Sequence, residues 1–435
     1  MGDHDMRKGW CPGIRRPMRA KDGLIVRLKI PCGIVPAAHL RAIAQAGRAF
    51  GNGLFELTSR ANLQLRGVRE EDLPHLIEIL DTLGLVDDTD AAEAVRNVVV
   101  SPLAGLDGRT EALAAARELE AMLAASEELH ALPAKFGFVI DDGSLLSLAD
   151  TPADVRFDWT GGSLPLAVGI GGRACEAFYL GQCEPSEIPQ VAGGLARAFL
   201  SLASQLPARP RRMRELIETF GASPIAQYCG LRASPARRAQ AAGMPRPIGL
   251  LRSGKISCFG VAAVFGKLNA DMLDRAAYAA DHFGNGELRL SPWRALILPL
   301  ACVDRADALC AYFAAHDFIT DPADPRWCIS ACGGSLTCER GTADARSDAL
   351  ALMAATQRLF QHRPALHVSG CAKACGRPAA PLLVTACGDL YDLEVREAGL
   401  AANLRGAKGL TLAAIRDRLG AAAQIAIAPD DSAIP

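Results

Sequence analysis

Apolar and polar side chains alternate through Gly23-Leu24-Ile25-Val26-Arg27-Leu28-Lys29-Ile30, and that period of two, in a β-branched run, predicts a half-buried strand. From Pro36 to Phe50 the period changes, and Leu40, Ile43, Ala44 and Gly47 fall on one helical face. Gly51-Asn52-Gly53 is a turn signal. Leu54-Phe55-Glu56-Leu57-Thr58 is a second strand, and Ala61-Asn62-Leu63-Gln64-Leu65-Arg66-Gly67 a third, alternating one. A helix from about Asp72 to Leu83 closes the unit. The order β-α-β-β-α is that of a ferredoxin-like α/β sandwich. Ahead of it, Cys11-Pro12-Gly13-Ile14-Arg15-Arg16-Pro17-Met18 carries two prolines and a glycine and reads as an extended arm.

The pattern returns. Phe50-Gly51-Asn52-Gly53-Leu54-Phe55-Glu56-Leu57 is echoed by Phe283-Gly284-Asn285-Gly286-Glu287-Leu288-Arg289-Leu290, 283 − 50 = 233 positions on. A strand-like run (Lys255 to Phe265) and a helix-like run (Ala306 to His316) flank the echo, so an internal duplication explains it better than chance. Each copy is followed by strand, loop, helix, strand. After the first come Val95 to Pro102, a helix near Glu111 to Leu129, and Pro133 to Ile140; after the second come Trp327 to Cys338, a helix near Ser347 to Phe360, and Ala365 to Cys371. The expected fold class is α+β, with two pseudo-symmetric ferredoxin-like half-domains at 22–90 and 248–320. Larger α/β modules are expected at 91–221 and 321–435, an arm at 1–21, and a Pro-, Ala- and Arg-rich linker at 222–247.

Composition narrows the function classes. The chain has 435 residues, half of them apolar, enough for two or three domains with sizeable cores. A net charge of −1 argues against nucleic acid or a membrane surface as a partner held by bulk charge. No apolar run follows Met1-Gly2-Asp3-His4-Asp5, and no stretch has the length of a membrane span, so a cytoplasmic protein is expected. Fourteen cysteines in such a chain are expected to be reduced thiols or metal ligands.

Four of those cysteines fall in two pairs, Cys332-Gly333-Gly334-Ser335-Leu336-Thr337-Cys338 and Cys371-Ala372-Lys373-Ala374-Cys375. Thiolates bunched among glycines are the ligand set of an iron–sulfur cluster; zinc, which more often takes shorter spacings, and plain buried thiols are the alternatives. A second chemistry lies in the first repeat, where a strand through Thr58 to Gly67 would turn Arg60, Asn62, Gln64 and Arg66 to one face. Such a face suits a polyanion, or is a solvated outer surface. Arg96 and Lys135 stand singly among apolar residues, where snorkelling strand-end cations are the simpler explanation. Leu166 to Gly172 reads as strand and turn, since no dinucleotide fingerprint follows, and neither a P-loop nor a nucleophile elbow is present. Electrons would then come from another protein.

Taken together, these features resemble the sulfite and nitrite reductase superfamily over nearly the whole chain. The resemblance implies two half-repeats plus larger modules of the cluster- and sirohaem-binding type. It implies a [4Fe–4S] cluster on Cys332, Cys338, Cys371 and Cys375, the last of which bridges to sirohaem iron in those reductases. Tetrapyrrole carboxylates would be bound by Arg60 in Thr58-Ser59-Arg60, Arg96 in Val95-Arg96-Asn97, and Lys135. The superfamily's Lys-x-Lys pair becomes Lys135-Phe136-Gly137, so the second lysine does not carry over.

The departures are similar to one branch, the precorrin-3B synthases, in the proline-bearing arm with Asp22-Gly23-Leu24, in Leu290-Ser291-Pro292-Trp293-Arg294, and in Ala372-Lys373 where the reductases have Pro-Asn. That branch implies oxygenation of precorrin-3A by O2, with NADH as the indirect electron source and a separate reductase as donor. It also implies a mononuclear non-haem iron, with sirohaem ranked behind it. No two-His-one-carboxylate motif names the iron's ligands, and His367 is more simply a satisfied strand histidine. Trp293 and Arg294, matched to the Ser59–Arg60 turn, would line the same cleft. A sirohaem-dependent sulfite or nitrite reductase and a non-catalytic cluster carrier are the rival functions.

Overall fold

The computed structural model describes residues 11–159, 165–229, 246–360, 365–376, 380–396 and 404–427. The first half-domain runs β1 (Met18–Ala20), β2 (Gly23–Leu28), β3 (Ile34–Pro36), α1 (Ala37–Phe50), β4 (Leu54–Leu57), β5 (Leu63–Val68) and α2 (Leu73–Thr82). The module after it runs α3 (Asp90–Val95), β6 (Val98–Val100), α4 (Glu111–Ala125), β7 (Phe138–Asp141), β8 (Ala153–Asp158), β9 (Leu166–Gly172), β10 (Phe178–Cys183), α5 (Ile188–Ala203), α6 (Met213–Phe220) and α7 (Ser223–Tyr228). The second half-domain has β11 (Gly249–Ser253), β12 (Ile256–Ala262), β13 (Lys267–Asn269), α8 (Ala270–Phe283), β14 (Glu287–Leu290), β15 (Ala295–Pro299) and α9 (Ala306–Ala314). The last module has β16 (Ile329–Ala331), α10 (Gly334–Thr337), α11 (Ala345–Leu359), β17 (Leu366–Ser369), β18 (Leu382–Cys387), β19 (Leu390–Val395), β20 (Ala407–Leu410) and α12 (Leu412–Ile427).

The duplication is present in the backbone itself. Helix α1 recurs as α8, β3 as β13 and β4 as β14, each 233 positions on. Two left-handed residues of the first copy, Cys32 (φ 51) and Ala61 (φ 53), recur as Phe265 (φ 62) and Arg294 (φ 62). A side chain in that conformation costs about 1–2 kcal/mol, so its return at the same places marks the same turns. This register corrects one expectation: Arg294 stands at the place of Ala61, and Trp293 at the place of Arg60.

The two half-domain sheets have the orders β1-β2-β5-β4-β13 and β11-β12-β15-β14-β3, so each copy lends its third strand to the other. Strand β3 pairs antiparallel with β14, Val35 opposite Leu288. The exchange is locked by matching bonds, Ala37 N–H donating to Gly286 O at 2.9 Å and Ala270 N–H to Gly53 O at 3.0 Å. In the first sheet Leu24, Val26, Leu28, Leu63 and Leu65 are buried, as are Leu40, Ile43, Leu76 and Leu80 of α1 and α2. Alternation then leaves Arg27, Glu56, Gln64 and Arg66 on the opposite face.

The two modules share one topology. In the first, β6, β7 and β8 run parallel, and β9 and β10 are added antiparallel. In the last, β16, β17 and β18 are parallel, and β19 and β20 antiparallel. Compact units divide the chain as residues 1–18, 24–261 and 268–312 in one, and 19–23, 262–267 and 313–435 in the other. The predicted linker begins with α7, and its residues 230–245 lie outside the described ones. Among the described residues no helix is long and apolar enough to cross a membrane.

Candidate functional site

A cluster of cationic side chains lies in the larger unit. Strand β5 starts only at Leu63, so Arg60 and Asn62 are not on the strand face expected for them. They sit in a tight turn in which Thr58 Oγ1 accepts Arg60 N–H at 3.3 Å and Asn62 N–H at 3.1 Å, with Ala61 left-handed between them. The turn projects Arg60 toward the Lys135 loop, where its Nη2 donates to Lys135 O at 3.0 Å. Arg212, the residue before α6, donates to the same carbonyl. Arg27 stands cross-strand from Gln64 and donates to its Oε1 at 3.0 Å, while the buried Arg27 Nε has no partner among the described residues.

The electrostatics confirm the crowding. Burial pulls Arg60 down to about 10; Arg212 and Arg27 add to the fall, and Cys11 and Asp154 oppose it. Burial likewise pulls Lys29 down to about 7, helped by Arg96, Arg27 and Arg60 and opposed by Glu93. Its ammonium caps the end of α3, donating to Glu93 O, to Ala94 O at 3.3 Å and to Asn97 Oδ1 at 2.9 Å. A guanidinium has five donors, and among the described residues that of Arg60 makes one hydrogen bond and no ion pair. Cations gathered this way favour an anionic ligand with planar, bidentate acceptors.

The other expected residues are placed differently. Arg96 is buried and forks onto Asp87, with Nε to Oδ1 at 3.0 Å and Nη2 to Oδ2 at 2.9 Å. Its Nη1 also lies 3.9 Å from Glu120, so much of its charge is matched internally. Arg66, on the sheet face with Gln64, is buried and lies 3.4 Å from Glu56 Oε2. Lys135 is exposed on its loop. Trp293 packs on Val99, Val139, Leu148 and Ala153, and Arg294 occupies its left-handed turn. Sequence reasoning missed Arg27, Lys29 and Arg212. The alternation of Gly23 to Ile30 puts the first two on one face, and Arg212 ends the basic run Arg209-Pro210-Arg211-Arg212.

All four cysteines belong to the smaller unit. Cys332 ends β16, where its N–H donates to Val368 O at 3.1 Å, and its Sγ accepts Gly370 N–H at 3.1 Å and Gly334 N–H at 3.4 Å. The Cys375 thiol is pushed up by burial, opposed by Lys373, and raised further by Cys371, Cys332 and Cys338. The flanking glycines allow close packing: a Cβ on Gly334 (φ +61) would stand 2.7 Å from Ala343 O, and one on Gly370 3.0 Å from Gly334 Cα. Two backbone N–H groups aimed at the Cys332 sulfur suit a thiolate, and Cys332, Cys338, Cys371 and Cys375 would be the ligands of a [4Fe–4S] cluster.

His367 is fully buried, with Nδ1 3.0 Å from Ser330 Oγ and Nε2 2.8 Å from Cys375 O. A carbonyl only accepts, so Nε2 carries the proton and the ring pins the Cys375 loop. Among the described residues no three His, Cys, Asp or Glu side chains are gathered to hold a metal ion. A mononuclear iron thus has no ligand set to which a step can be assigned.

Residues 16–83 and 251–315 match the family model of the nitrite/sulfite reductase ferredoxin-like half domain. The two matched segments coincide with the two half-domains, so the chain carries the ferredoxin-like half domain of that model twice. Among particular relatives, it is 28% identical over 382 residues to a precorrin-3B synthase of Sinorhizobium sp, covering 86% of this chain and 79% of that one. It is 27% identical over 402 residues to a ferredoxin–nitrite reductase of Synechococcus elongatus, covering 87% and 78%. The solved structure of the Mycobacterium tuberculosis NirA protein superposes with a TM-score of 0.75 at 23% identity, covering 92% of this chain and 79% of that one, and shows the shared fold.

Proposed function

We propose that the protein is an oxidoreductase that binds a polycarboxylate tetrapyrrole in the arginine pocket and carries out the precorrin-3B synthase reaction. In that reaction one atom of O2 enters precorrin-3A as the C-20 hydroxyl, with closure of a ring A γ-lactone. The other atom leaves as water, with two electrons drawn from NADH through a separate reductase. The observation that carries the proposal is Arg60, a guanidinium crowded by Arg212 and Arg27 and bonded only to a carbonyl among the described residues. The precorrin-3B synthase relative and the Ala372-Lys373 departure support that branch. Arg60, Arg27 and Lys135 would orient the substrate's acetate and propionate groups, and the Thr58 turn would hold Arg60 rigid for that purpose. When bound, a [4Fe–4S] cluster supplies single electrons.

The second reading, a sirohaem-dependent nitrite or sulfite reductase, is favoured by the nitrite reductase relatives. One experiment separates the two. Anaerobically purified protein is incubated with precorrin-3A, then given O2 and a reductant, and its product is analysed by mass. A gain of one oxygen, lost by about a hundredfold in rate in Arg60→Ala, is expected. Sirohaem absorbance bands together with nitrite or sulfite reduction would transfer the assignment to the reductases.

A further inference from the structure

The proline-bearing arm is held by two acidic residues that also hold cations. Glu93 Oε1 accepts the Ile14 N–H at 2.8 Å in a buried bond, and the Arg15 N–H helps to hold the same carboxylate. The Glu93 carbonyl, in turn, accepts the Lys29 ammonium. Asp87 repeats the device: its carbonyl accepts Arg15 Nε at 2.7 Å, while its carboxylate takes the fork of Arg96. Two residues thus tie the arm to Lys29 and to Arg96. Ile14 is 1% exposed, and the Gly13 N–H closes a turn onto Arg16 O at 3.0 Å. A Cβ on Gly13 would stand 2.4 Å from Glu93 Oε2, so only glycine lets the arm lie this close to the carboxylate. Ahead of that turn stands Cys11, near enough to Arg60 to act on its charge.

We propose that Glu93 is a positioning residue that straps the arm, residues 11–16, against the cation cluster as one wall of the ligand site. This assignment rests on the tetrapyrrole reading above and deepens it. Two effects of the Glu93 side chain oppose each other. As a negative charge acting on Lys29 it works against an anionic ligand, so on charge alone its removal would tighten binding. As the acceptor for the arm it holds the wall in place, since the Ile14 amide without it would be buried unpaired, which favours release of the arm to water. A wall already fixed lowers the ordering cost that a ligand meets on binding. Lys29 uses the backbone carbonyl of Glu93, which every substitution retains, so the side chain can be tested by itself.

The test is a titration of the full chain with uroporphyrin III, a porphyrin with a carboxylate on every side chain, with hydrogen exchange at the Ile14 amide read beside it. Glu93→Ala is expected to weaken porphyrin binding about tenfold, chiefly through faster release, and to speed exchange at Ile14. Glu93→Gln keeps an acceptor without the charge and should bind within about threefold of wild type. Gly13→Ala drives its Cβ into the carboxylate and should weaken binding in the same direction, with Lys29, Arg60 and Arg96 untouched. It carries the test if Glu93→Ala does not fold. Unchanged or tighter binding in Glu93→Ala leaves only the charge effect and overturns the proposal. So does a Glu93→Gln as weak as Glu93→Ala, or an Ile14 amide that stays protected in both Glu93→Ala and Gly13→Ala. If the wild-type chain binds no porphyrin, the tetrapyrrole reading falls and takes this role with it. Porphyrin binding that ignores all three variants removes the strap alone.

Discussion

The two α/β modules have the same sheet and opposite chemistry. In the first, Ser101 N–H donates to Ile140 O at 3.1 Å; in the last, Cys332 N–H donates to Val368 O at 3.1 Å. From these matched points the spacing also matches, Ser101 to Asp107 against Cys332 to Cys338. The first module satisfies its own loops. Ser101 Oγ lies 2.8 Å from Ser144 Oγ, Asp107 pairs with Arg109 at 2.6 Å, and Asp141 Oδ2 accepts Ser147 Oγ–H at 2.7 Å and Leu148 N–H at 2.8 Å. Thiols have no such means, because S–H is a weak donor and neighbouring thiolates repel. One backbone frame therefore makes a closed polar core when lined with hydroxyls and carboxylates, and a site needing cations when lined with cysteines.

The largest expected effect tests that contrast directly. Cys338→Ser should reduce bound iron and sulfide well below about four of each per chain, whereas Asp107→Ala at the matched position should leave both unchanged. Iron loss in Asp107→Ala would break the comparison, and full iron in Cys338→Ser would remove the ligand assignment.

Arg156 is fully buried and forks onto Asp158 at 2.6 and 2.8 Å, and Tyr179 OH donates to the same carboxylate at 2.7 Å. Arg156→Met would leave that carboxylate buried and uncompensated, a loss of about 3–5 kcal/mol in a denaturant titration. A loss below about 1 kcal/mol would show that the network is not what fixes the sheet.

The smallest effect is a pH dependence. Burial pushes the Asp141 carboxyl from its ordinary 3.8 up to about 6, opposed by the Ser147 hydroxyl and aided by Asp158. Folding therefore favours its protonated form. The stability this group contributes is full below about pH 4 and is lost as pH rises through about 6, at most ~3 kcal/mol. Unfolding free energies at pH 4.5 and 7 should differ less in Asp141→Asn than in wild type. Equal slopes would mean that the fold holds Asp141 ionised.

Much of the fold was legible because it depends on local period. The switch from two to 3.6 marked β2, α1, β4, β5 and α2, and the Phe50 and Phe283 echoes marked their return. The exchange of β3 and β13 was not legible, since a three-residue strand carries no sign of which sheet it joins. The predicted strand face failed at Arg60 for a similar reason: alternation describes a strand, and the Thr58 turn interrupts it. Residues that alternation did place, Gln64 and Arg66, share a sheet face with Glu56, which pairs with Arg66, and with Arg27, which donates to Gln64.

By itself the sequence determined the duplication and the ferredoxin-like order of each copy, because periodicity and spacing are properties of the chain alone. Only the tertiary structure decided which cations meet. Arg212 and Arg60 are brought to one carbonyl by packing between elements far apart in the chain, and Arg96 is matched to Asp87 by the same means. Charge available for binding is what pairing leaves over, and pairing exists only in the fold.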